Sequence, residues 1–142
     1  MSRWRTCSED ETMAVGYEVA ARLRPDGVLL LSGDLGAGKT VLVRGVADAL
    51  GIDPAEIQSP TFTLMRSYQG RSESLLHVDL YRLESEEVSA LGLEEALHGP
   101  GVKVVEWAER LPFAVAGAVE LILHRGHEGE REIEERANQE EV

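Results

Sequence analysis

The segment from Gly33 to Thr40, GDLGAGKT, contains residue types that bind phosphate. It matches the pattern Gly-x-x-x-x-Gly-Lys-Ser/Thr, in which glycines let the backbone curl until consecutive N–H groups point at phosphate oxygens. In such a loop, Lys39 would reach the β- and γ-phosphates of a nucleotide, and the Thr40 hydroxyl would coordinate magnesium. The segment follows an apolar run and precedes a helical pattern, so the positive end of that helix would also face the phosphates. The sequence therefore predicts a nucleotide site, and the alternative is a glycine-rich turn without a ligand.

Two later stretches are mostly apolar and end in a carboxylate. They are LLHVD, which ends at Asp79, and VKVVE, which ends at Glu106. In α/β sheets, ligands bind at the carboxyl ends of the strands, and phosphoryl transfer needs an acid near the magnesium ion. Either acid could hold the metal or orient water. The alternative is that each acid marks the point where a strand returns to solvent.

The stretch from Ser59 to Thr63, SPTFT, lies between the phosphate loop and the first of these acids. Its hydroxyl groups and its single proline would suit a segment that folds over the phosphates and responds to the γ-phosphate. The alternative is a turn that leads into a strand.

The elements that would position these residues alternate along the chain. The predicted fold is α/β: a single domain with a P-loop NTPase-like mixed β-sheet flanked by helices. Residues 1–125 would form the nucleotide-binding domain, and residues 126–142 a C-terminal edge strand with an acidic tail. The predicted elements are a helix that starts at the capping box Ser8–Glu11 and ends before Pro25, a strand over 28–32, a helix from Thr40 to Leu50, a hairpin of strands over 62–68 and 73–79, a helix over 85–97 interrupted at Gly92, and strands over 102–106, 119–124 and 131–136.

Length, composition and net charge limit the classes of protein to which this chain can belong. The chain has 142 residues, of which 43% are hydrophobic, and this is enough for one domain with its own core. Its net charge of −12 argues against a broad surface for the phosphates of DNA or RNA, because such a surface needs clustered Lys and Arg. With the single cysteine Cys7, no signal peptide pattern and no apolar run that could span a membrane, we expect a cytoplasmic protein.

The segments GDLGAGKT, SPTFTL, HVDLYRL and VEWAERLP, in this order and at these separations, resemble the TsaE family. This family comprises small bacterial P-loop ATPases required for threonylcarbamoyladenosine modification of tRNA. The resemblance covers about residues 8–123. It implies ATP and Mg²⁺ as cofactors, and it implies ATP in preference to GTP.

The resemblance also implies individual roles. Glu106 resembles the metal-associated acid, Asp79 the carboxylate implicated in hydrolysis, and Thr61 the threonine of a switch-like segment. Arg131 is our choice for the C-terminal arginine of the family, with Arg125 as the alternative. The predicted catalytic residues are Lys39, Thr61 and Asp79; the predicted nucleotide-binding residues are Thr12, Leu35, Gly36, Ala37, Gly38, Lys39, Thr40, Trp107 and Arg131; and the predicted metal ligands are Thr40 and Glu106.

The resemblance implies partners that resemble TsaB and TsaD, and it implies that the modification chemistry belongs to TsaD. We expect little direct tRNA binding by this chain and no association with a membrane.

Two other functions remain open on the residues alone. One is a small-molecule kinase, for which Arg66, Arg71 and Arg82 are the central arginines that could close over a transferred phosphate. The other is a nucleotide-responsive binding module with negligible turnover. We expect His77 and His124 to be structural, because neither has a Cys or an acid at the sequence spacing of metal ligands.

Overall fold

In a computed structural model, residues 2–34, 36–58, 65–81 and 92–136 are described. These residues form one seven-stranded sheet with helices packed on it. None of the helices within these ranges has the length and hydropathy needed to span a bilayer. The elements are β1 (Arg3–Thr6), α1 (Glu9–Leu23), β2 (Val28–Gly33), α2 (Lys39–Ala49), β3 (Met65–Gln69), β4 (Ser74–Asp79), α3 (Leu93–Leu97), β5 (Val102–Glu106), β6 (Val119–Arg125) and β7 (Arg131–Arg136), with 3-10 turns at Pro54–Glu56 and Ala108–Arg110.

The strand order is β1-β7-β6-β2-β5-β4-β3. The four strands β6, β2, β5 and β4 run parallel to one another, whereas β7 pairs antiparallel with β6 and with β1, and β3 pairs antiparallel with β4. The carboxyl ends of the parallel strands therefore lie along one edge of the sheet, and β2 delivers the glycine-rich loop to the middle of that edge. This arrangement confirms the predicted single-domain α/β fold with a mixed sheet.

The core has two layers because the central strands are buried on both faces. In β2, Leu29 and Leu31 belong to the cluster that packs against α1 and α2. Val28 and Leu30 belong to the opposite cluster, which includes the apolar residues of α3. This two-sided burial explains why the sequence of β2 is an uninterrupted apolar run.

Helix α1 begins at the predicted capping box. The Ser8 hydroxyl accepts the N–H of Glu11 at 3.1 Å, and the Glu11 carboxylate accepts the N–H of Cys7 at 2.7 Å. The return bond therefore reaches one residue further back than a standard capping box, in which the acid meets the N-cap residue itself.

Helices α1 and α2 cross with their backbones in contact. A Cβ atom at Gly16 would overlap the carbonyl oxygen of Leu42, and one at Gly45 would overlap the carbonyl oxygen of Met13. Glycine is required at both positions because no other residue leaves room for this approach. The crossing holds the start of α1 beside the start of α2.

The strand at 131–136 forms where it was predicted, but its predicted place at the edge of the sheet is wrong. β1 pairs with it on the outer side, with Trp4 opposite Ile133, so β7 lies between β1 and β6. β1 was not predicted, because its four residues RWRT carry two charges and no apolar alternation long enough to read as a strand.

Several predicted features lie outside the described residues. These are the start of the first hairpin strand at 62–64, the first part of the predicted helix at 85–91, the switch-like segment 59–63 and the tail at 137–142. Within the described part, the hairpin forms between β3 and β4 and the remainder of the predicted helix forms as α3, which begins after Gly92.

An ion pair attaches α1 to β7. The two terminal nitrogens of Arg22 donate to the two carboxylate oxygens of Glu135 at 2.9 and 2.6 Å. The hydrogen bond from Arg22 lowers the pKa of the Glu135 carboxyl below its ordinary value of 4.5. A carboxyl with a lowered pKa in the folded state stabilises the fold above its unfolded pKa, and this contribution is lost as the pH falls through the folded pKa.

Glu135→Gln should lower the free energy of unfolding by about 0.5–1 kcal/mol near neutral pH, because it removes a partly exposed bidentate pair. The difference from wild type should shrink as the pH falls below 4.5. Urea unfolding at about pH 7 and about pH 3 measures both effects. Glu132→Gln is the matched control, since its pair with Arg5 has one contact and both side chains are more exposed. Equal losses of stability in the two variants, or a loss for Glu135→Gln that does not change with pH, would contradict the stabilising role of the ion pair between Arg22 and Glu135.

Candidate functional site

A cavity of about 570 Å³ opens at the carboxyl edge of the parallel strands. Its walls come from the start of α1, the glycine-rich loop, the ends of β4 and β5, and the turn that precedes β7. Its size is within the range of small-molecule and cofactor sites. The lining residues are Cys7, Ser8, Glu9, Thr12, Gly36, Gly38, Lys39, Thr40, Val41, Asp79, Tyr81, Glu106, Trp107, Gly129 and Arg131.

Most of the predicted site residues meet in this cavity. Those that line it are Thr12, Gly36, Gly38, Lys39, Thr40, Asp79, Glu106, Trp107 and Arg131. Ala37 instead packs its side chain into the core, and its N–H donates to the carbonyl of Asp34 at 3.2 Å. Leu35 and Thr61 lie outside the described residues.

The two arginines considered for the C-terminal position differ in where they lie. Arg131 lines the cavity, and its guanidinium donates to the neighbouring carbonyl of Glu130 at 2.9 Å. Arg125 lies at the end of β6, where its backbone N–H donates to the carboxylate of Asp34 at 3.2 Å. The geometry therefore favours Arg131 over Arg125 as a residue that could contact a ligand.

The glycine-rich loop leads directly into α2. Gly36 and Gly38 have φ values of 75° and 96°, and Gly38 is the N-cap residue of the helix. The first turn of α2 contains no acidic residue. The positive end of the helix therefore faces the cavity without a carboxylate of its own to neutralise it, which suits an anionic ligand.

Lys39 lies at the centre of the loop and is only 5% exposed. Its ammonium group donates to the carbonyls of Gly33 at 3.0 Å and Asp34 at 2.6 Å, and lies 4.2 Å from the ring centroid of Trp107. Burial lowers the pKa of Lys39, and nearby carboxylates, foremost that of Glu109, oppose this shift. The loop thus holds a desolvated cation that its own carbonyls satisfy.

A buried carboxylate lies next to the loop. Glu106 is 3% exposed, and the Thr40 hydroxyl lies 3.0 Å from both of its oxygens. The Nε2 atom of His77 lies 2.6 Å from Oε2 of the same carboxylate. The sequence-based interpretation of His77 missed this contact, since the acid comes from a neighbouring strand and not from the same segment. The signal was the spacing His-x-Asp in β4, which puts His77 on the same face of the sheet as the strand-end acid.

Asp79 lies beside Glu106, because these two residues are register partners in β4 and β5. Its Oδ1 atom accepts the N–H of Tyr81 at 2.9 Å, which fixes the orientation of the carboxylate. The two strand-end acids predicted from the sequence are therefore neighbours at one edge of the sheet.

Two aromatic rings form one wall of the cavity. The rings of Tyr81 and Trp107 lie 4.9 Å apart at an angle of 43°. Trp107 has a left-handed backbone conformation with φ 59°, which costs about 1–3 kcal/mol for a residue with a side chain. This turn directs the chain away from β5 immediately after Glu106. Tyr81 was not predicted as a site residue; the signal that could have found it is its place in the segment HVDLYRL, two residues after Asp79.

The donor set at Thr40 and Glu106 fits magnesium. A hydroxyl and a carboxylate are hard oxygen ligands, and Mg²⁺ is usually held by one or two protein oxygens together with substrate phosphates and water. Within the described ranges, no group of three or more His, Cys, Asp or Glu side chains could hold a metal by itself. If Thr40 and Glu106 held a metal, bound phosphate and water would be the expected source of its other ligands.

Comparison with known proteins gives the family. The family model described as "Threonylcarbamoyl adenosine biosynthesis protein TsaE" matches residues 6–133. The chain is 43% identical over 135 residues to a Bacillus subtilis protein named tRNA threonylcarbamoyladenosine biosynthesis protein TsaE, covering 92% of this chain and 82% of the relative. It is 40% identical over 138 residues to a Nostoc protein of the same name, covering 94% and 85%.

A solved structure agrees with these matches. The crystal structure of Bacillus subtilis YdiB superposes with a TM-score of 0.75 at 37% sequence identity, and the match covers 99% of this chain and 87% of that one. The fold is thus shared over nearly the whole chain, and it includes the sheet edge where the loop and the two acids meet. The chain belongs to the TsaE family, whose members are described as proteins of threonylcarbamoyladenosine biosynthesis.

Proposed function

We propose that this protein is a magnesium-dependent ATPase that drives the protein complex forming N6-threonylcarbamoyladenosine at position 37 of tRNA. The observation that carries the proposal is the meeting of the phosphate loop with two strand-end acids, Glu106 and Asp79, in one cavity. Membership of the TsaE family supplies the pathway.

The loop would bind the phosphates of ATP. The N–H groups at the start of α2 and the ammonium group of Lys39 are the positive groups at this end of the cavity. On binding, Lys39 would exchange the carbonyls of Gly33 and Asp34 for phosphate oxygens. Because the cation is already desolvated, it would interact with phosphate more strongly than an exposed lysine would.

The Thr40 hydroxyl and the Glu106 carboxylate would hold the metal. Bound ATP and Mg²⁺ supply the phosphoryl group and the charge that stabilises its transfer. The carboxylate of Asp79, held by the N–H of Tyr81, would accept a hydrogen bond from the attacking water and orient it. Thr61 would act from the switch-like segment, and Leu35 would contribute from the loop.

Thr12, Trp107 and Arg131 would contact the rest of the nucleotide. Thr12 donates to the carbonyl of Ser8 at 3.2 Å and lies 2.7 Å from the hydroxyl of Thr6, so its side chain is held in place at the wall of α1. Trp107 and Arg131 offer an aromatic face and a cation on other parts of the cavity wall. These residues would set the orientation of the bound nucleotide.

The ATP cycle would act on partner proteins that resemble TsaB and TsaD. The net charge of −12 disfavours extended contact with tRNA phosphates, so we expect little direct tRNA binding. Hydrolysis would reset a complex in which the modification chemistry belongs to the TsaD-like partner. A small-molecule kinase remains the competing function.

Lys39→Ala should abolish ATP hydrolysis and weaken ATP binding by about 10–100-fold, because a charge-assisted contact to phosphate contributes about 1.5–3 kcal/mol. Isothermal titration calorimetry and a phosphate-release assay measure the two effects. Asp48→Ala, on the exposed side of the same helix, is the matched control and should behave as wild type. A folded Lys39→Ala protein with wild-type turnover would refute the role of the loop.

Glu106→Gln and Asp79→Asn should fail in different ways. If Glu106 holds magnesium, Glu106→Gln should raise the magnesium concentration needed for half-maximal activity by about 10-fold or more. If Asp79 acts on water, Asp79→Asn should lower kcat about 100-fold or more and leave ATP affinity close to that of wild type. Magnesium titrations of activity, combined with ATP binding for each variant, distinguish the roles. Wild-type behaviour in both variants would refute the roles that we infer for Glu106 and Asp79 from their positions at the strand ends.

Partner proteins should change the ATP cycle. We expect slow hydrolysis by the isolated chain, and altered turnover or nucleotide affinity when TsaB-like and TsaD-like proteins are added. In a reconstituted modification reaction, Lys39→Ala should prevent repeated rounds of tRNA modification. The kinase function would be favoured if the chain alone rapidly phosphorylated a small molecule, or if many rounds of tRNA modification continued with the Lys39→Ala variant.

A further inference from the structure

His77 is a buried side chain that the proposed chemistry does not yet use. It is 0% exposed, and its Nε2 atom lies 2.6 Å from Oε2 of Glu106, which is 3% exposed. A contact this short between two side chains removed from water is stronger than the same contact at the surface. The pair therefore constrains the position of the carboxylate.

The strand register brings the two groups together. β4 and β5 run parallel, with Asp79 opposite Glu106 and His77 opposite Val104. Because side chains alternate between the faces of a strand, His77, Asp79 and Glu106 point to the same face. His77 thus reaches Glu106 along the diagonal of the strand pair, from the side away from the cavity opening.

The hydrogen-bond pattern indicates which imidazole nitrogen carries the proton. If Glu106 is the carboxylate that holds magnesium, its oxygens can only accept, so in this contact Nε2 of His77 donates to Oε2 of Glu106. Within the described part of the chain, Nδ1 is buried and has no hydrogen-bond partner. A proton on Nδ1 would therefore be a buried donor without an acceptor, which is costly. The arrangement therefore favours a proton on Nε2, the nitrogen that faces Glu106.

The carboxylate of Glu106 is thus held by two donors from different elements. The Thr40 hydroxyl approaches both oxygens from α2 at 3.0 Å, and His77 holds Oε2 from β4. A carboxylate with only the Thr40 contact could turn about its last side-chain bond. The His77 contact removes that freedom.

We propose that His77 is a positioning residue for magnesium binding. Its Nε2–H holds Oε2 of Glu106 so that the carboxylate faces the Thr40 hydroxyl at the end of the cavity where the metal would lie. This inference rests on the proposed role of Glu106 as the metal-associated acid. Hydrogen-bond partners that orient metal ligands commonly contribute about 10–100-fold to metal affinity.

The test compares His77→Leu, which removes the donor, with His77→Gln, which retains an N–H donor. Calorimetry measures ADP affinity with and without Mg²⁺, and the ratio of the two reports metal affinity without any turnover. We expect His77→Leu to lower the Mg²⁺ affinity about 10–100-fold while Mg²⁺-free ADP affinity stays unchanged, and His77→Gln to restore most of the loss. His124→Leu, an exposed histidine on β6, is the matched control and should have no effect.

A purely structural role would give a different pattern. Both His77 variants would then unfold at lower temperature, and the Mg²⁺ dependence of ADP binding would remain that of wild type. Such a result would overturn the proposal.

A second measurement on the wild-type protein does not depend on how well the variants fold. The ¹⁵N chemical shifts of His77 in the nucleotide-free protein should show a proton on Nε2, and Glu106→Gln should shift the Nε2 resonance. An Nε2 atom without a proton, or no response to Glu106→Gln, would overturn the proposal. If Mg²⁺ had no effect on ADP binding by the wild-type protein, that result would instead contradict the proposed function. The nitrogen shifts would still decide whether His77 holds Glu106.

Discussion

The carboxylate of Glu106 is the interaction on which the arrangement of the site depends. An ionised carboxylate with so little exposure is costly unless it is hydrogen-bonded, and here the donors come from the helix after the phosphate loop and from the adjacent strand. The same group therefore connects β5 to the start of α2 and to β4. Because its partners have different origins in the sequence, the position of this carboxylate depends on the register of the whole parallel sheet.

The backbone contact between α1 and α2 sets the opposite wall. Gly16 and Gly45 let the two helices approach until carbonyl groups of one lie where a side chain of the other would be. This approach places Thr12 beside the phosphate loop, and the hydroxyl pair of Thr12 and Thr6 then connects that wall to β1. The two helices that bound this side of the cavity are in van der Waals contact. This close contact leaves little room for one helix to slide along the other.

The features of the fold that local patterns encode were predicted from the sequence. The apolar run of β2, the glycine-rich loop, the helical spacing of α2 and the two runs that end in acids each depend on neighbouring residues, and each forms where it was expected. The rule that parallel strands present their carboxyl ends at one edge was enough to bring Asp79 and Glu106 together.

The missed features depend on pairing between distant segments. β1 is a strand only because β7 offers a partner, and His77 meets an acid only because β4 and β5 have a particular register. Tyr81 and Gly129 line the cavity from turns, and their residue types alone indicate no binding role. Likewise, Gly16 and Gly45 look like ordinary interruptions of helical patterns until the two helices are seen in contact.

The pairing of β1 with β7 also affects the order in which the site can be completed. One cavity wall contains the residues that follow β1 and those that precede β7, and Arg5 and Glu132, which form an ion pair across these strands, are 127 positions apart. During synthesis on the ribosome, the phosphate loop and its helix emerge long before β7 is available. A nascent chain therefore carries the groups that attract phosphate before it carries the wall that closes around the rest of the ligand, and closure must await the most distant contact in the sheet.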